Sequence, residues 1–419
     1  NQKPRKYQLA AVWDSITKRR INIEVPTSGG KTLISYLMCR WWQAMGLKTL
    51  LVVPTTLLVE QTYGDWFDFG WDGIRDIVHK VYSETEKHFG AQTTISTWQS
   101  IYRDMSIFEH FDALVIDEGH HAKAKSLQNI AMWSCNAPYR IGMSGSYPDE
   151  HERDDRLNYL NVVGALGPIK KYTDYKEMED MGWIPKLQIN CIILKYSMEM
   201  RKKISSEVME LRQKRLELEE LKMVDPAAAK GTKIPDAYNY EIDRIHNLDI
   251  RNDFICKLIE KSCKGNSMVL FTKVQKHGMP LKSALEKYFQ GRKKVVYIDG
   301  DVKTADRNIA RTFAEANEDV ILLASYGTFS TGISIKNLHN IVFASGYKAK
   351  TKVLQSIGRG LRNLPGKEVV NIYDIVDDMA IQTKDMSTRY TNASLRHYAV
   401  RAKIYEDKGF RWRSIKYKF

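Results

Sequence analysis

Short apolar runs rich in valine, isoleucine and leucine alternate along the chain with longer amphipathic stretches. This alternation is typical of parallel β-strands joined by crossover helices. In the first half, the predicted strands are INIEV, KTLLVV, TTIST, DALVID and YRIGMS, which begin at Ile21, Lys48, Thr93, Asp112 and Tyr139. In the second half, they are QINCIILK, SMVLFT, VVYID, DVILLA, NIVFA and VVNIYD, which begin at Gln188, Ser267, Val295, Asp319, Asn340 and Val369. The pattern predicts an α/β fold with two tandem, doubly wound parallel-sheet lobes.

Glycine and proline interrupt the alternation in GWIPK, residues 182–186, which predicts a boundary there. We expect a first lobe at residues 1–185, a second lobe at 186–400 and a basic, aromatic tail at 401–419. A charge-rich helical stretch indicates an insertion in the second lobe, at about residues 198–262. This insertion is either a solvated arm packed on its own lobe or a grip on duplex nucleic acid.

The charge balance narrows the choice of partner. The chain has 419 residues and a formal net charge of +14, which favours a polyanion such as nucleic acid. Its five cysteines show no CxxC spacing, so neither a zinc site nor a disulfide framework is indicated. No apolar run approaches the length of a membrane span. The first residue is asparagine rather than methionine, which leaves open whether further residues precede it.

A glycine-rich loop, PTSGGKT at residues 26–32, follows the first predicted strand and precedes a predicted helix. Its glycines let backbone N–H groups point at phosphate oxygens, and the helix N-terminus adds positive potential. Lys31 can reach the β- and γ-phosphates, and the Thr32 hydroxyl suits Mg²⁺. Val25 stands where the general motif has its first glycine. Strand, loop and helix nevertheless come in the required order, so the stretch predicts a nucleotide phosphate site.

An acidic pair follows the apolar run DALVI, in the sequence DEGHH at residues 117–121. Ligands of open α/β sheets bind at the carboxyl ends of strands. Asp117 can hold Mg²⁺ there through its water shell, while Glu118 polarises the attacking water.

The stretch QSIGRGLRN, residues 355–363, places two arginines three residues apart. On a helix, Arg359 and Arg362 would share one face and reach a single anionic target. Arginines against a transferring phosphoryl group stabilise its developing charge, and Gln355 would orient the attacking water. The alternative, a basic helix face turned to solvent, predicts neither Gly358 nor its apolar surroundings.

Nine motifs in chain order resemble those of superfamily 2 helicases. They are RKYQ (5–8), PTSGGKT (26–32), VVPTTLLVEQ (52–61), STWQS (96–100), IDEGHH (116–121), MSGS (143–146), VLFTK (269–273), YGTFSTGIS (326–334) and QSIGRGLR (355–362). The DEGHH form resembles the DExH branch that contains restriction translocases and repair helicases. Within that branch, the residues of the motifs and the spacing between them are most similar to phage branch-migration helicases of the UvsW type. The resemblance covers nearly all of residues 1–400 except the insertion.

The resemblance implies two RecA-like lobes, ATP and Mg²⁺ as cofactors, and DNA as the partner. The implied nucleotide contacts are Arg5, Tyr7, Gln8, Thr27, Ser28, Gly29, Gly30, Lys31, Thr32 and Gly332. Thr32 and Asp117 would hold the metal, and the residues implied in hydrolysis are Lys31, Glu118, Gln355, Arg359 and Arg362. Ser144 and Ser146 would couple the ATP site to the nucleic-acid grip. The implied strand path is lined by Pro54, Thr55, Thr97, Trp98, Gln99, Lys273 and Thr328, and Trp98 is either a base-stacking ring or a buried one.

Three further features qualify the resemblance. Ser334 stands where many relatives carry an acid, so a carboxylate contact to the ribose is not expected. Gly119 replaces the more usual alanine, a change expected to matter little. The tail from Lys403 interleaves cations and aromatics, which suits either single-stranded nucleic acid or a final strand packed on the second lobe.

Taken together, the sequence predicts an ATP-dependent DNA helicase or translocase that couples hydrolysis to lobe closure and acts on forked, branched or single-stranded DNA. An RNA helicase is the nearest rival, because phosphate contacts tolerate both sugars. A scaffold with a decayed ATP site is disfavoured by the intact Lys31, Glu118 and Arg359. The motor part of a restriction endonuclease is a third alternative, although no nuclease constellation is found. A monomer without membrane association is expected in the cytoplasm, that of the host if the chain is phage-encoded.

Overall fold

The computed structural model describes residues 3–82, 89–153, 155–225, 230–302, 304–331, 335–382 and 389–419. The chain divides into two compact units, Asn1–Ile184 and Pro185–Phe419, called lobe 1 and lobe 2 below. Each lobe contains a seven-stranded sheet in which all neighbouring strands are parallel. The predicted fold class is confirmed.

Lobe 1 has the strand order β3-β4-β2-β5-β6-β1-β7. Its strands are β1 Arg20–Glu24, β2 Thr49–Val53, β3 Val78–Val81, β4 Thr93–Thr97, β5 Ala113–Asp117, β6 Tyr139–Ser144 and β7 Ile169–Lys171. Its helices are α1 Lys6–Lys18, α2 Lys31–Ala44, α3 Thr56–Asp68, α4 Ile74–Ile77, α5 Trp98–Ile101, α6 Lys125–Trp133, α7 Arg156–Leu166 and α8 Tyr175–Asp180. Two apolar clusters cover the sheet, because its central strands are apolar on both faces.

Lobe 2 has the strand order β10-β11-β9-β12-β13-β8-β16, with a separate small ribbon of β14 and β15. Its strands are β8 Lys186–Lys195, β9 Asn266–Phe271, β10 Val295–Ile298, β11 Ile321–Ser325, β12 Leu338–Phe343, β13 Val369–Asp378, β14 Ile381–Gln382, β15 Arg389–Tyr390 and β16 Arg411–Lys418. Its helices are α9 Met198–Val224, α10 Ala237–His246, α11 Asp249–Ser262, α12 Met279–Phe289, α13 Thr304–Ala316, α14 Tyr326–Thr331, α15 Lys350–Gly360 and α16 Ala393–Asp407.

The helical insertion is formed by α9, α10 and α11. The first half of α9 is anchored in the lobe 2 core through Ile204 and Val208, whereas most of its second half is exposed. At its other end, Arg251 of α11 forms a buried ion pair with Asp377 of β13, with 2.7 Å between Nε and Oδ1. The insertion is therefore fixed to its own lobe through the first half of α9 and through α11, while the C-terminal half of α9 is mostly exposed to solvent.

The segment treated above as a tail belongs to lobe 2. Helix α16 continues across position 401, and Arg401 forms a fully buried ion pair with Asp374 of β13, with 2.8 Å between Nη2 and Oδ1. Strand β16 then pairs in parallel with β8, from Arg411 beside Gln188 onward. Of the two alternatives for the tail, a final strand packed on lobe 2 is the one found, although most residues of β16 are exposed.

Candidate functional site

The phosphate loop joins β1 to α2 in lobe 1. Gly30 is the N-cap of α2 and adopts a left-handed conformation with φ of 79°, and Ser28 is also left-handed. A side chain at Gly30 would collide with the Gln8 amide. The loop therefore needs glycine for both its turn and its close packing, and α2 begins at Lys31 with its N-terminal N–H groups next to the loop.

The start of α1 is fastened to this loop through one carbonyl oxygen. Gly29 O accepts hydrogen bonds from Tyr7 Oη (2.5 Å) and from Gln8 Nε2 (3.0 Å). The Gln8 Oε1 atom accepts from the Arg5 backbone N–H (2.8 Å), and Arg5 Nη1 donates to Tyr7 Oη (3.1 Å). The structure thus brings three of the predicted nucleotide contacts, Arg5, Tyr7 and Gln8, together with the phosphate loop.

Trp183 completes this corner of lobe 1. Its ring lies 5.3 Å from that of Tyr7, and the Arg5 guanidinium carbon lies 4.8 Å from its centroid. Trp183 was used above only as part of the boundary sequence GWIPK. The sequence analysis missed this contact because it joins residues at the two ends of the lobe.

The acidic pair stands at the end of β5, two strands away from β1 in the sheet. Burial first, and then the Glu118 charge, raise the pKa of Asp117 to about 6. Burial also raises the pKa of Glu118, but a hydrogen bond with His120 and the Lys31 charge outweigh it, so the pKa falls to about 2. Lys31 is therefore electrostatically coupled to both carboxylates.

Asp117 and Thr32 fit a magnesium ion in their donor chemistry. Both offer oxygen, which Mg²⁺ prefers. Asp117 Oδ1 is buried and accepts no hydrogen bond from any part of the chain that the structure describes. The repulsion between the Asp117 and Glu118 carboxylates is a condition that a divalent cation relieves.

His120 links the acidic pair to the MSGS motif. Its Nδ1 atom lies 3.3 Å from Glu118 Oε2 and 2.8 Å from Ser144 Oγ. The Ser144 hydroxyl donates its single hydrogen to Ser146 O at 2.8 Å, so His120 Nδ1 must carry the proton in its contact with Ser144. The predicted coupling residues Ser144 and Ser146 are thus brought to Glu118 through His120, which the sequence analysis quoted without giving it a role.

The MSGS motif also approaches the phosphate loop directly. A Cβ atom on Gly145 would lie 3.2 Å from Thr27 Oγ1 and 3.7 Å from Lys31 Nζ. Thr27 is also hydrogen-bonded to Tyr175 of α8, a contact with no local sequence signal. Only a residue without a side chain fits this spacing comfortably, so Gly145 brings the motif close to the loop.

The packing around position 119 argues against the expectation that glycine matters little there. A Cβ atom on Gly119 would lie 2.7 Å from Tyr147 Oη and 3.1 Å from Gly142 Cα. Tyr147 is buried, and within the described residues its hydroxyl has no hydrogen-bond partner. The tyrosine fills the space that an alanine methyl group would occupy.

Replacing Gly119 with alanine is therefore expected to lower the free energy of unfolding by about 1–3 kcal/mol, through overpacking. Tyr147→Phe should be nearly neutral, since it removes an unpartnered hydroxyl, and the double variant should regain part of the loss. Urea unfolding of the isolated variants measures this. Gly164→Ala is the matched control, because a Cβ atom there meets nothing within 4 Å. Wild-type stability of Gly119→Ala would contradict the packing argument.

The lobe 1 residues predicted to line the strand path lie at the ends of two neighbouring strands. Pro54 and Thr55 follow β2, while Thr97 ends β4 and leads into Trp98 and Gln99; Val53 pairs with Thr97. Thr55 caps α3, Gln99 is exposed, and Trp98 is half-buried with its ring 5.7 Å from that of Tyr102. The structure brings these five residues together.

The lobe 2 path residues also lie at neighbouring strand ends. Lys273 follows β9, and Thr328 lies on α14 after β11, which pairs with β9. The Lys273 ammonium is 2.6 Å from Asp243 Oδ1 of the insertion helix α10. A phosphate group at Lys273 would therefore compete with this carboxylate.

The arginine motif departs from its predicted geometry. Helix α15 ends at Gly360, so Arg359 lies in its last turn while Arg362 lies beyond it. The prediction that both arginines share one helical face is wrong, because the chain leaves the helix at Leu361. Gln355 is half-buried on α15, and the Arg359 guanidinium lies 5.8 Å from the Phe329 ring centroid. Gly332 falls outside the described residues.

Comparisons with known proteins agree with this arrangement of motifs. Residues 1–149 match the family model for the res subunit of type III restriction enzymes, and residues 250–380 match the helicase conserved C-terminal domain. The ATP-dependent DNA helicase uvsW of Enterobacteria phage T4 is 33% identical over 421 residues, covering 98% of this chain and 76% of the phage protein.

Two solved structures share the fold at low sequence identity. The Type ISP restriction-modification enzyme LlaBIII bound to DNA gives a TM-score of 0.66 at 14% identity, covering 100% of this chain and 32% of that protein. Dbp5 of S. cerevisiae bound to RNA and ADP BeF3 gives 0.60 at 12% identity, covering 99% and 90%. At these identities, the likeness extends to the RecA-like fold of the lobes and no further.

Proposed function

The chain belongs to the UvsW-type superfamily 2 helicases, and from this premise we propose that it is an ATP-dependent DNA helicase that unwinds or branch-migrates forked and junction DNA. The observation that carries the proposal is the 33% identity to the phage T4 DNA helicase over 98% of the chain. The nucleotide-side motifs of lobe 1 support it, because the fold gathers them around one phosphate loop.

ATP would bind at this loop through the residues that the structure assembles there. Lys31 would contact the β- and γ-phosphates, and Thr32 and Asp117 would hold Mg²⁺, which neutralises charge on the phosphate oxygens. Glu118, ionised and in contact with His120, would orient the attacking water. Gln355, Arg359 and Arg362 of lobe 2 would act on the same phosphate, as the family motif implies.

DNA would follow the strand ends that carry Pro54, Thr55 and Thr97 in lobe 1 and Lys273 and Thr328 in lobe 2. Hydroxyl and backbone contacts position phosphates without reading bases, so binding is proposed to be independent of sequence. His120 and Ser144 provide a hydrogen-bonded route from the acidic pair to MSGS, through which the nucleotide state would reach the DNA contacts.

The sequence similarities to the rival classes are weaker than the similarity to the phage DNA helicase. The restriction-enzyme family model matches residues 1–149 alone, and the putative ATP-dependent RNA helicase L396 of Acanthamoeba polyphaga mimivirus is 23% identical over 364 residues. The restriction enzyme and the RNA-bound Dbp5 share the fold at only 14% and 12% identity. Among the described residues, no helix combines the length and apolar character needed to cross a bilayer.

Strand displacement and ATP hydrolysis on matched substrates test the proposal. We expect ATP-dependent displacement on forked DNA and four-way DNA junctions, with hydrolysis stimulated by DNA more than by an RNA duplex of the same sequence. Displacement of RNA but not DNA would assign the rival RNA helicase function. ATP hydrolysis without displacement on any substrate would restrict the chain to translocation.

A further inference from the structure

A buried lysine contacts the chain where it leaves the arginine-bearing helix. The Lys367 ammonium donates to the carbonyl oxygens of Gly360 (2.6 Å), Arg362 (3.1 Å) and Lys336 (3.1 Å). Lys367 is only 5% exposed. An ammonium has three donors and no acceptor, so these three carbonyls use its whole hydrogen-bonding capacity.

The contact fixes a part of the motif that the helix does not fix. Arg362 lies past the end of α15, beyond Leu361, whose N–H still bonds to Gly358 O at 3.1 Å. The last carbonyls of a helix lack intrahelical partners and form its negative end, which favours a cation. Lys367 supplies that cation, and through Arg362 O it also holds the backbone that carries the second arginine.

A tight turn delivers Lys367 to this place. Its N–H bonds to Leu364 O at 3.0 Å, and Gly366 between them has φ of +82°. Proline followed by a left-handed glycine is the signature of a type II turn. The sequence LPGK therefore bends the chain back at residues 364–367, so that the lysine side chain points toward the residues just before the turn.

The third carbonyl belongs to a different motif. Lys336 follows YGTFSTGIS by two residues, and its own N–H donates to Glu315 Oε1 at 3.1 Å. The Lys367 ammonium thus joins the end of the motif QSIGRGLR to the segment that follows YGTFSTGIS. Burial, and then the Arg362 charge, lower the pKa of Lys367 to about 8, so the group stays mostly protonated at pH 7.

We propose that Lys367 is a positioning residue for hydrolysis. Its hydrogen bonds hold the Arg362 backbone against the end of α15 and against the segment after YGTFSTGIS, and so hold Arg362 in place. The inference deepens the proposed function and rests on it, because Arg362 matters for turnover only if it acts on the nucleotide. We assign Lys367 itself no contact with the nucleotide.

Lys367→Met tests the proposal, since it removes the charge and all three donors but keeps an unbranched side chain. We expect kcat for DNA-stimulated ATP hydrolysis to fall by about 10- to 100-fold, the effect of a small misplacement of a catalytic group. The KM for ATP should change by less than about threefold, because the phosphate loop is untouched. Turnover of Lys367→Met at the wild-type level would overturn the proposal.

A double-mutant cycle separates positioning from general stabilisation. If Lys367 acts through Arg362, adding Lys367→Met to Arg362→Ala should lower kcat by less than about twofold more. Multiplicative losses would overturn the proposal, since they show that Lys367 acts independently of Arg362. If Arg362→Ala alone keeps full turnover, the arginine assignment of the proposed function fails instead, and the two failures remain distinguishable.

Gly366→Ala keeps the proposal testable if Lys367→Met does not fold. A Cβ atom there meets nothing within 4 Å, so the substitution strains only the turn that delivers Lys367. We expect Gly366→Ala to lower kcat by less than Lys367→Met does, and to have no effect on kcat in the Arg362→Ala background. An unchanged kcat in a folded variant with a displaced Lys367 would count against the proposal. Lys264→Met is the control, because Lys264 and Lys367 line one surface pocket, but the Lys264 side chain is exposed whereas that of Lys367 is buried.

Discussion

Arg359→Ala is expected to lower DNA-stimulated ATP hydrolysis by at least ~10³-fold, because an arginine finger stabilises the charge that develops on the transferring phosphoryl group. The affinity for DNA should remain nearly unchanged, since the strand-path residues are elsewhere. Steady-state hydrolysis at saturating DNA and a separate DNA-binding titration measure the two effects.

The control for this variant is an arginine of lobe 2 outside the motifs. Arg292 is exposed, pairs with Glu260, and should tolerate alanine without loss of turnover. Arg359→Lys is informative as well, because a lysine keeps the charge but loses the planar, forked donors. Wild-type hydrolysis by Arg359→Ala would remove this arginine from the hydrolytic machinery and leave Gln355 and Arg362 as the lobe 2 candidates.

The sequence predicted the central strands and the edge strand β10, missed the edge strands β3 and β7, and left the edge strand β16 as one of two alternatives. The eleven predicted strands lie where β1, β2, β4–β6 and β8–β13 are found, since buried parallel strands are continuous apolar runs. The strands β3, β7 and β16 stand at sheet edges and carry exposed or half-buried polar residues, as IKK in β7 illustrates. Periodicity signals burial, and an edge strand with little burial gives almost no such signal.

The candidate site divides in a similar way. Residues within contiguous motifs, such as Lys31 and Asp117, could be proposed from the sequence because the chemistry needs them at fixed spacing. Residues that act across the sequence, such as Trp183 and Lys367, were missed because their contacts exist only after folding. The packing at Gly119 was overlooked for the same reason, since the Tyr147 hydroxyl that would crowd an alanine methyl group is 28 residues away in the chain.

The hydrogen-bonded group around His120 shows why motif order alone understates the site. Glu118, His120, Ser144 and Ser146 form one chain of contacts from the acidic pair to MSGS. Each motif has its own recognised role, yet the proton on His120 Nδ1 is set by the serine hydroxyl of the other motif. The two motifs are therefore joined by hydrogen bonds, and this connection is the basis of the coupling between the nucleotide site and the DNA contacts proposed above.

Lys31→Ala is expected to abolish unwinding and to lower kcat for ATP hydrolysis by about 10²- to 10³-fold, the range found when a preorganised cation or donor is removed from developing charge. The loss has two causes. The ammonium no longer reaches the phosphates, and its charge, which lowers the pKa of both Asp117 and Glu118, is no longer present to favour their ionised forms.

This variant should still fold, so that the loss can be assigned to chemistry. Lys31 is the first residue of α2, where alanine is well tolerated. Its ammonium group donates only a long hydrogen bond to Val25 O, with 3.4 Å between Nζ and the oxygen. Lys125→Ala is the matched control, because Lys125 is also the first residue of a lobe 1 helix but is exposed. Thermal unfolding of Lys125→Ala should lie close to wild type. Lys31→Ala should unfold cooperatively at a somewhat lower temperature, because the cation beside the buried Asp117 and Glu118 is gone. Forked-DNA displacement should persist only in Lys125→Ala. Displacement by a folded Lys31→Ala would contradict the assignment of PTSGGKT as the loop that holds the phosphates through this lysine.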